Sequence, residues 1–106
     1  MKVVLDECLP VDFRHYLLGH EVHTAQWAGF KSLKNGQLLK QAELAGYDVF
    51  LTVDQGIPHQ QNLIKRKIAV LILRTRTNQL EDLLPMVEDI LISLSKLQPG
   101  ETAYTG

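Results

Sequence analysis

The sequence lacks the features that mark secreted and membrane proteins. It has a single cysteine, Cys8, so no internal disulfide can form. Its longest apolar runs, such as 68–73, fall far short of the ~20 residues that cross a bilayer. The amino terminus shows no charged start, apolar stretch and cleavage site of a signal peptide. We therefore expect a cytoplasmic protein that has no membrane segment.

An excess of charge of one sign is also missing. Twelve acidic residues stand against 11 lysines and arginines, which gives a formal net charge of -1. A chain so balanced has no global positive field, and any nucleic-acid binding must use a local patch. The 45% hydrophobic and 22% charged residues are typical of a globular domain and exclude disorder. At 106 residues, the chain is expected to form a single domain over 1–106.

The sequence does contain an alternation of short apolar runs with helical patterns. The runs 2–5, 48–53 and 68–73 are apolar and β-branched, which is typical of parallel strands buried on both faces. The polar run 21–24 is expected at an edge, and 102–105 is expected to add a fifth strand if it pairs. The alternation predicts a three-layer α/β fold, whose mostly parallel four- or five-stranded sheet has the order 2-1-3-4 or 2-1-3-4-5.

The segments between these runs show helix-boundary residues. Pro10 favours a first helix that ends at Gly19. Asn35 is a good N-cap for a second helix, which ends at Gly46. A further short helix is expected at 59–66.

A long amphipathic helix is expected near the carboxyl terminus, running to about Leu97. Asn78 and Glu81 have capping-box spacing ahead of it, and Pro85 predicts a kink or a late start. Its apolar residues are Leu80, Leu83, Leu84, Val87, Ile90, Leu91 and Leu94. They exceed what one helix face needs, so they either cover the sheet or support a homodimer.

Acidic residues stand where two of the predicted strands end. Asp6 and Glu7 follow the first strand, and Asp54 follows the third. In an open α/β sheet these strand ends flank the point where the winding reverses, which is where ligands bind. Crowded carboxylates repel each other unless a cation such as Mg²⁺ or Mn²⁺ neutralises them. The three acids therefore predict a catalytic metal site suited to phosphodiester hydrolysis.

A simpler alternative exists for the same acids, because acidic residues also follow strands to cap a helix or to turn the chain into solvent. This alternative applies to Asp54 in particular. Glu7 is not needed as a cap, since Pro10 already sets the start of the next helix. Cys8, beside the acids, should keep its proton, which argues against a nucleophilic thiolate.

Several short motifs together resemble those of a PIN-like family of small bacterial and archaeal proteins. LDECLP at 5–10 is similar to the family's L-D-E-x-L-P opening, and FLTVD at 50–54 to its strand ending in T-x-D. GHEV at 19–22 and NGQLL at 35–39 resemble the starts of its second strand and second helix. The resemblance spans roughly residues 1–75, and it rests on the spacing of the whole set.

The resemblance implies a PIN-like fold, a metal-dependent ribonuclease site and a role as the toxin of a toxin–antitoxin pair with a small DNA-binding antitoxin. By position, Asp6 and Asp54 would bind Mg²⁺ or Mn²⁺, with Glu7 as a ligand or water-orienting base. The chain departs from the pattern at Asn35, where many relatives have aspartate, and at 55–57, where many have Lys-Asp-Phe. The missing charge weakens the expected metal affinity, so a weak or inactive binding module is the alternative.

Basic and aromatic residues supply candidates for substrate binding. Lys31, Lys34, Arg74 and Arg76 are expected on the same carboxyl-end face as Asn35, where they either contact RNA phosphates or are simply solvated. Two aromatic residues lie in the loop before the second helix. They either stack on a base or pack in the core or a subunit interface, and packing is the commoner use. They are Trp27 and Phe30.

A phospho-receiver-like domain is a further alternative, because that fold also gathers acids after its first strand. Asp54 and Pro58 imitate its D-x-x-x-P spacing. A receiver needs a lysine after its fifth strand, and no lysine follows Lys96. The missing lysine argues against a receiver.

Overall fold

A computed structural model describes residues 1–57 and 66–106. It contains one sheet of five parallel strands in the order β2-β1-β3-β4-β5. The strands are β1 (Lys2–Leu5), β2 (Glu21–Thr24), β3 (Val49–Thr52), β4 (Ala69–Leu73) and β5 (Thr102–Thr105). The predicted parallel α/β sheet is confirmed, and the carboxyl-terminal strand does pair, beside β4.

Helices cover both faces of this sheet. Within residues 1–57 and 66–106, three α-helices are complete, namely α1 (Asn35–Leu44), α2 (Leu80–Leu83) and α3 (Val87–Lys96), and two 3₁₀ segments span Val11–Tyr16 and Leu84–Met86. Side chains of β1, β3 and β4 alternate between two buried clusters, one against α2, α3 and the first 3₁₀ segment, the other against α1. Every residue of β3 and β4 is buried, because both faces are covered.

The first predicted helix is a six-residue 3₁₀ segment instead. Pro10 has extended backbone (φ -61°, ψ 138°), and Leu17 leaves helical geometry (φ -91°, ψ 70°). Only Val11–Tyr16 remains between them, and 3₁₀ bonding is common in helical pieces this short. Its Phe13 is fully buried in the core.

Helix α1 begins one residue away from the predicted position. Lys34 is the cap residue and has extended backbone, whereas Asn35 is the first helical residue. At the other end, the backbone N–H of Gly46 donates to the carbonyl of Glu43 (3.1 Å). Gly46 has φ +87°, a left-handed conformation that glycine adopts without steric cost, so the predicted stop at this glycine is confirmed.

The carboxyl-terminal helical stretch is interrupted at Pro85, as predicted. The 3₁₀ turn Leu84–Met86 separates α2 from α3. The predicted capping box is wrong, because α2 has Gln79 as its cap residue and no capping bond from a side chain. Thr77 accepts the backbone N–H of Gln79 (3.0 Å), and Asn78 instead reaches back to the carbonyl of Cys8 (2.7 Å).

The structure describes only part of the segment between β3 and β4. The helix predicted for 59–66 falls almost wholly outside the described residues. Within residues 1–57 and 66–106, no helix is both long enough and apolar enough to cross a membrane.

Candidate functional site

The parallel pairing of β1 and β3 brings Asp6 and Asp54 to the same edge of the sheet. Leu5 is in register with Leu51, and the backbone N–H of Asp6 donates to the Leu51 carbonyl (2.9 Å). Asp54 follows β3 by two residues. Both residues thus follow neighbouring central strands, with β2 on the far side of β1, so they lie where the winding of the sheet reverses.

Thr52 links these two acidic residues. Its hydroxyl donates to Oδ2 of Asp6 (2.7 Å) and accepts the backbone N–H of Asp54 (3.0 Å). Thr52 is the last residue of β3 and is completely buried, so the hydroxyl has a fixed position. The paired bonds orient the Asp6 carboxylate relative to the turn after β3. The sequence contained this residue within the T-x-D motif, but the motif alone assigned it no role.

Asp54 also shapes the turn that follows β3. Its Oδ1 accepts the backbone N–H of Gly56 (2.9 Å), which is the side-chain-to-backbone bond of an Asx turn. The turn-forming role expected under the simpler alternative is therefore present in the structure. Asp54 nevertheless follows β3 at the same edge of the sheet as Asp6.

Glu7 contacts the loop between β2 and α1. Its Oε1 accepts the backbone N–H of Ser32 (3.3 Å), and the side chain is exposed. Ser32 has φ +71°, and within the described ranges it is the one residue other than glycine with a positive φ. This conformation costs a serine roughly 1–2 kcal/mol. The contact ties the loop to the end of β1.

The acidic edge offers a limited ligand set for a metal ion. Among residues 1–57 and 66–106, no group of three or more histidine, cysteine, aspartate or glutamate side chains is arranged to hold a metal. Mg²⁺ in proteins is commonly bound by one or two carboxylates, with water completing the coordination. Asp6 and Asp54 fit such a water-rich site, and the metal role of Asp6, Glu7 and Asp54 stays a prediction.

Cys8 lies against the same acidic edge and is half-buried. Burial, the largest cause, raises the pKa of its thiol, and the neighbouring Asp6 carboxylate raises it further. Hydrogen bonds from the Val53 backbone and from Thr52 lower this pKa but do not reverse the shift. The thiol therefore stays protonated at neutral pH, in agreement with the expectation that Cys8 is not a nucleophile.

The predicted substrate-binding residues follow strands β2 and β4. Lys34 is exposed and caps α1, and Asn35 is the first residue of that helix. Arg74 follows β4, and its guanidinium lies 4.9 Å from the ring centroid of Tyr104. Arg76 is exposed two residues further on. All four thus come after strands whose carboxyl ends form the edge where Asp6 and Asp54 lie.

The two aromatic residues of the β2–α1 loop have different environments. Phe30 is 8% exposed and packs edge-on against Tyr47 (ring centroids 6.0 Å), so it closes the core as expected. Trp27 is 70% exposed and stacks on His23 (ring centroids 4.1 Å). The loop sequence has no periodicity that would predict which of the two aromatic side chains is buried. The stacked pair is a feature that sequence reasoning missed.

Comparisons of the chain with protein-family models, with curated proteins and with solved structures gave no match. The PIN-like family therefore remains a prediction from the motifs.

Proposed function

We propose that the carboxyl edge between β1 and β3 is the site of a PIN-like, metal-dependent endoribonuclease of modest activity. The observation that supports it best is the link through Thr52. A buried hydroxyl bonds both to the carboxylate of Asp6 and to the backbone of Asp54. The link supports the proposal because the carboxylate of Asp6 and the backbone of Asp54 share one buried partner, near the position where open α/β sheets bind ligands.

Asp6 and Asp54 are the proposed ligands of Mg²⁺ or Mn²⁺. When bound there, the ion would supply an activated water and neutralise charge on a phosphoryl oxygen. Thr52 keeps the Asp6 carboxylate in one orientation, which lowers the cost of ordering a ligand. Glu7 is exposed and follows Asp6 directly, so its carboxylate is accessible to orient a water beside the scissile phosphate.

Basic residues around this edge are the proposed phosphate contacts. Lys34 and Arg76 are exposed, and the guanidinium of Arg74 is positioned by the Tyr104 ring. Asn35 begins α1, whose first-turn N–H groups and positive dipole end favour an anion. The proposed role as the toxin partner of a small DNA-binding antitoxin follows from the motif resemblance alone.

The test combines metal binding with RNA cleavage. Titration calorimetry with Mn²⁺ should show binding to the wild type, and a labelled single-stranded RNA should be cut internally in the presence of Mg²⁺ or Mn²⁺. Glu101→Gln is a matched control, because it removes an exposed carboxylate that directly precedes β5 at the opposite edge of the sheet. It should leave both binding and cleavage unchanged, whereas Asp6→Asn should remove both.

The second candidate is a PIN-like binding module without catalysis. It is favoured by the uncharged Asn35 and by the absence, within the described residues, of a three-ligand metal group. If calorimetry gave no divalent-ion binding for the wild type or for Asn35→Asp, the nuclease proposal would fail and the binding module would replace it.

A further inference from the structure

Trp27 presents an accessible aromatic surface just after the end of β2. Its ring lies on the imidazole of His23 with centroids 4.1 Å apart and planes tilted by 31°. The backbone N–H of Trp27 donates to the hydroxyl of Thr24 (3.1 Å), which fixes the start of the loop. The side chain nevertheless remains 70% exposed. One face of the indole is supported by protein, and much of the ring is open to solvent.

The support beneath Trp27 is itself fixed in the core. Nδ1 of His23 is 2.8 Å from the hydroxyl of Tyr47, and their rings meet edge-on (centroids 5.8 Å). Tyr47 is buried and also contacts Phe30. The exposed indole is therefore preorganised, because its neighbour cannot turn away without breaking buried contacts. A flat group that stacks on it would pay little of the ordering cost of binding.

The loop that carries Trp27 is rich in lysine although the chain as a whole is slightly acidic, and one acidic residue adjoins its support, since Oε2 of Glu21 lies 3.6 Å from Nε2 of His23. The segment 22–42 contains three lysines and no aspartate or glutamate. Lys31 and Lys34 are exposed in the same loop as Trp27, and Lys40 lines a groove of about 450 Å³ between that loop and α1. A partner that combines flat rings with negative charge matches this surface.

We infer that Trp27, supported by His23, is a stacking platform for a base of single-stranded nucleic acid, whose phosphates contact the lysines of segment 22–42. Stacking on an aromatic side chain needs an unpaired base and tolerates any sequence, since every base has a flat face. Base faces inside a duplex are already stacked on neighbouring bases and are therefore inaccessible to such a platform. The inference rests on the proposed function in one respect: the bound nucleic acid is a substrate only if the protein is a nuclease.

The loop connects this platform with the acidic edge. Ser32 belongs to the same loop and donates its backbone N–H to Glu7. Strand β2 is in register with β1 up to the pair Leu5 and Thr24, so the loop starts directly beside the residues that precede Asp6. The Trp27 ring lies over His23, which is in register with Val4, two residues before Asp6, so a nucleic-acid strand bound at Trp27 would extend along the loop to reach the proposed cleavage site. Trp27 is on this basis a positioning residue.

The experiment measures binding without cleavage. EDTA is present throughout, so neither a divalent ion nor the proposed catalysis contributes. A short oligoadenylate is titrated into the wild type, and the emission of Trp27, the single tryptophan of the chain, is followed. The expected result is saturable quenching of the Trp27 emission. This measurement uses the wild-type protein alone. An abasic oligonucleotide of the same length should give no quenching and weaker binding.

Variants are compared by the fluorescence anisotropy of a labelled oligonucleotide. Trp27→Leu should weaken binding on the order of 10-fold, whereas Trp27→Phe should keep most of the affinity, because a phenyl ring still stacks. Tyr16→Leu is the matched control, since Tyr16 is also an exposed aromatic residue but lies in the 3₁₀ segment. It should bind as the wild type does. Far-ultraviolet circular dichroism of each variant checks that the fold is retained.

Three outcomes would overturn the inference. One is equal binding by Trp27→Leu and the wild type, and a second is equal binding of the abasic and the normal oligonucleotide. The third is a wild-type dimer that Trp27→Leu converts to monomer with no nucleic-acid binding, which would make the platform a self-association surface. The proposed nuclease fails separately. Quenching in EDTA with no metal-dependent cleavage would leave the platform standing, and cleavage unaffected by Trp27→Leu would leave the nuclease standing.

Discussion

The two edges of the parallel sheet both present acidic residues, but the acids have different partners. At the amino edge, Asp48 accepts the backbone N–H of Lys2 (2.8 Å), and one oxygen of Glu43 accepts those of Lys67 and Ile68. These carboxylates satisfy N–H groups next to the starts of β1 and β4. Such groups need an acceptor wherever the ladder does not provide one, so a structural role accounts for Asp48 and Glu43.

At the carboxyl edge, the two acidic residues share a hydrogen-bonding partner. Asp6 accepts a side-chain hydroxyl from Thr52, and that hydroxyl is bonded in turn to the backbone of Asp54. Asp54 shapes its own turn through Gly56, but Asp6 serves no strand start. The difference teaches that the position of an acid along a strand does not reveal its role. The groups that donate to it are more informative.

The largest expected effect separates activity from stability at the carboxyl edge. Asp6→Asn and Asp54→Asn should each abolish metal-dependent RNA cleavage, because each removes one unit of the negative charge that holds the cation. The apo protein should be as stable as the wild type or slightly more stable, since repulsion between carboxylates is relieved. Cleavage assays and urea unfolding of the same preparations check this. If the variants lost cleavage and also had a clearly lower free energy of unfolding than the wild type, these acids would have a structural role.

The next effect concerns the buried link. Thr52→Val keeps the shape of the side chain but removes the hydroxyl, which leaves the N–H of Asp54 and an oxygen of Asp6 without that partner. The loss should be about 1–3 kcal/mol in the free energy of unfolding. Equilibrium urea unfolding measures it. Thr52→Ser retains the hydroxyl but loses a buried methyl group, so it measures that separate cost. A free energy of unfolding for Thr52→Val equal to that of the wild type would show that the hydrogen bonds contribute nothing.

A smaller effect is expected at the start of α1. Asn35→Asp places a negative charge in the first helical turn, where the helix dipole stabilises it by about 0.3–1 kcal/mol. The same charge should tighten Mn²⁺ binding and raise the cleavage rate, since it places an acid where many members of the resembled family have aspartate. Thermal unfolding and titration calorimetry separate the two contributions. A gain in stability with unchanged metal affinity would exclude this position from the metal site.

The smallest effect tests the amino edge. Hydrogen bonds from the backbone of Ile68 and then of Lys67 lower the pKa of Glu43. Its carboxylate therefore stabilises the fold fully above the ordinary glutamate pKa, and this contribution is lost as the pH falls through the lowered value. Because Glu43 is only partly buried and solvent screens its carboxylate, Glu43→Gln should cost less than about 1 kcal/mol at neutral pH. Unfolding midpoints of the two proteins should converge in acid, whereas a constant difference at all pH values would contradict the mechanism.

Much of the fold could be predicted from local patterns. The apolar runs of β3 and β4 indicated strands buried on both faces, and Gly46 and Pro85 marked the end of α1 and the interruption before α3. The weaker tail also pairs, at 102–105. These features follow from composition and backbone chemistry over a few residues, so a single sequence contains them.

Helix boundaries were less predictable, because they depend on which of several neighbouring residues takes the cap position. Val11–Tyr16 became a 3₁₀ segment between two non-helical residues, and Lys34 took the cap position expected for Asn35. The predicted capping residue Asn78 bonds instead to the carbonyl of Cys8, 70 residues away in the chain. Local propensity cannot anticipate a partner that arrives only when the chain has folded.

The sequence by itself determined that acids would stand at the ends of two central strands, because strand length and parallel order fix the edge at which Asp6 and Asp54 emerge. The tertiary structure alone decided what surrounds them. It placed the Thr52 hydroxyl between the two, turned Ser32 into a left-handed conformation that meets Glu7, and buried Phe30 while leaving Trp27 exposed. Such contacts join residues far apart in the chain, and their geometry is set by how the strands and loops pack.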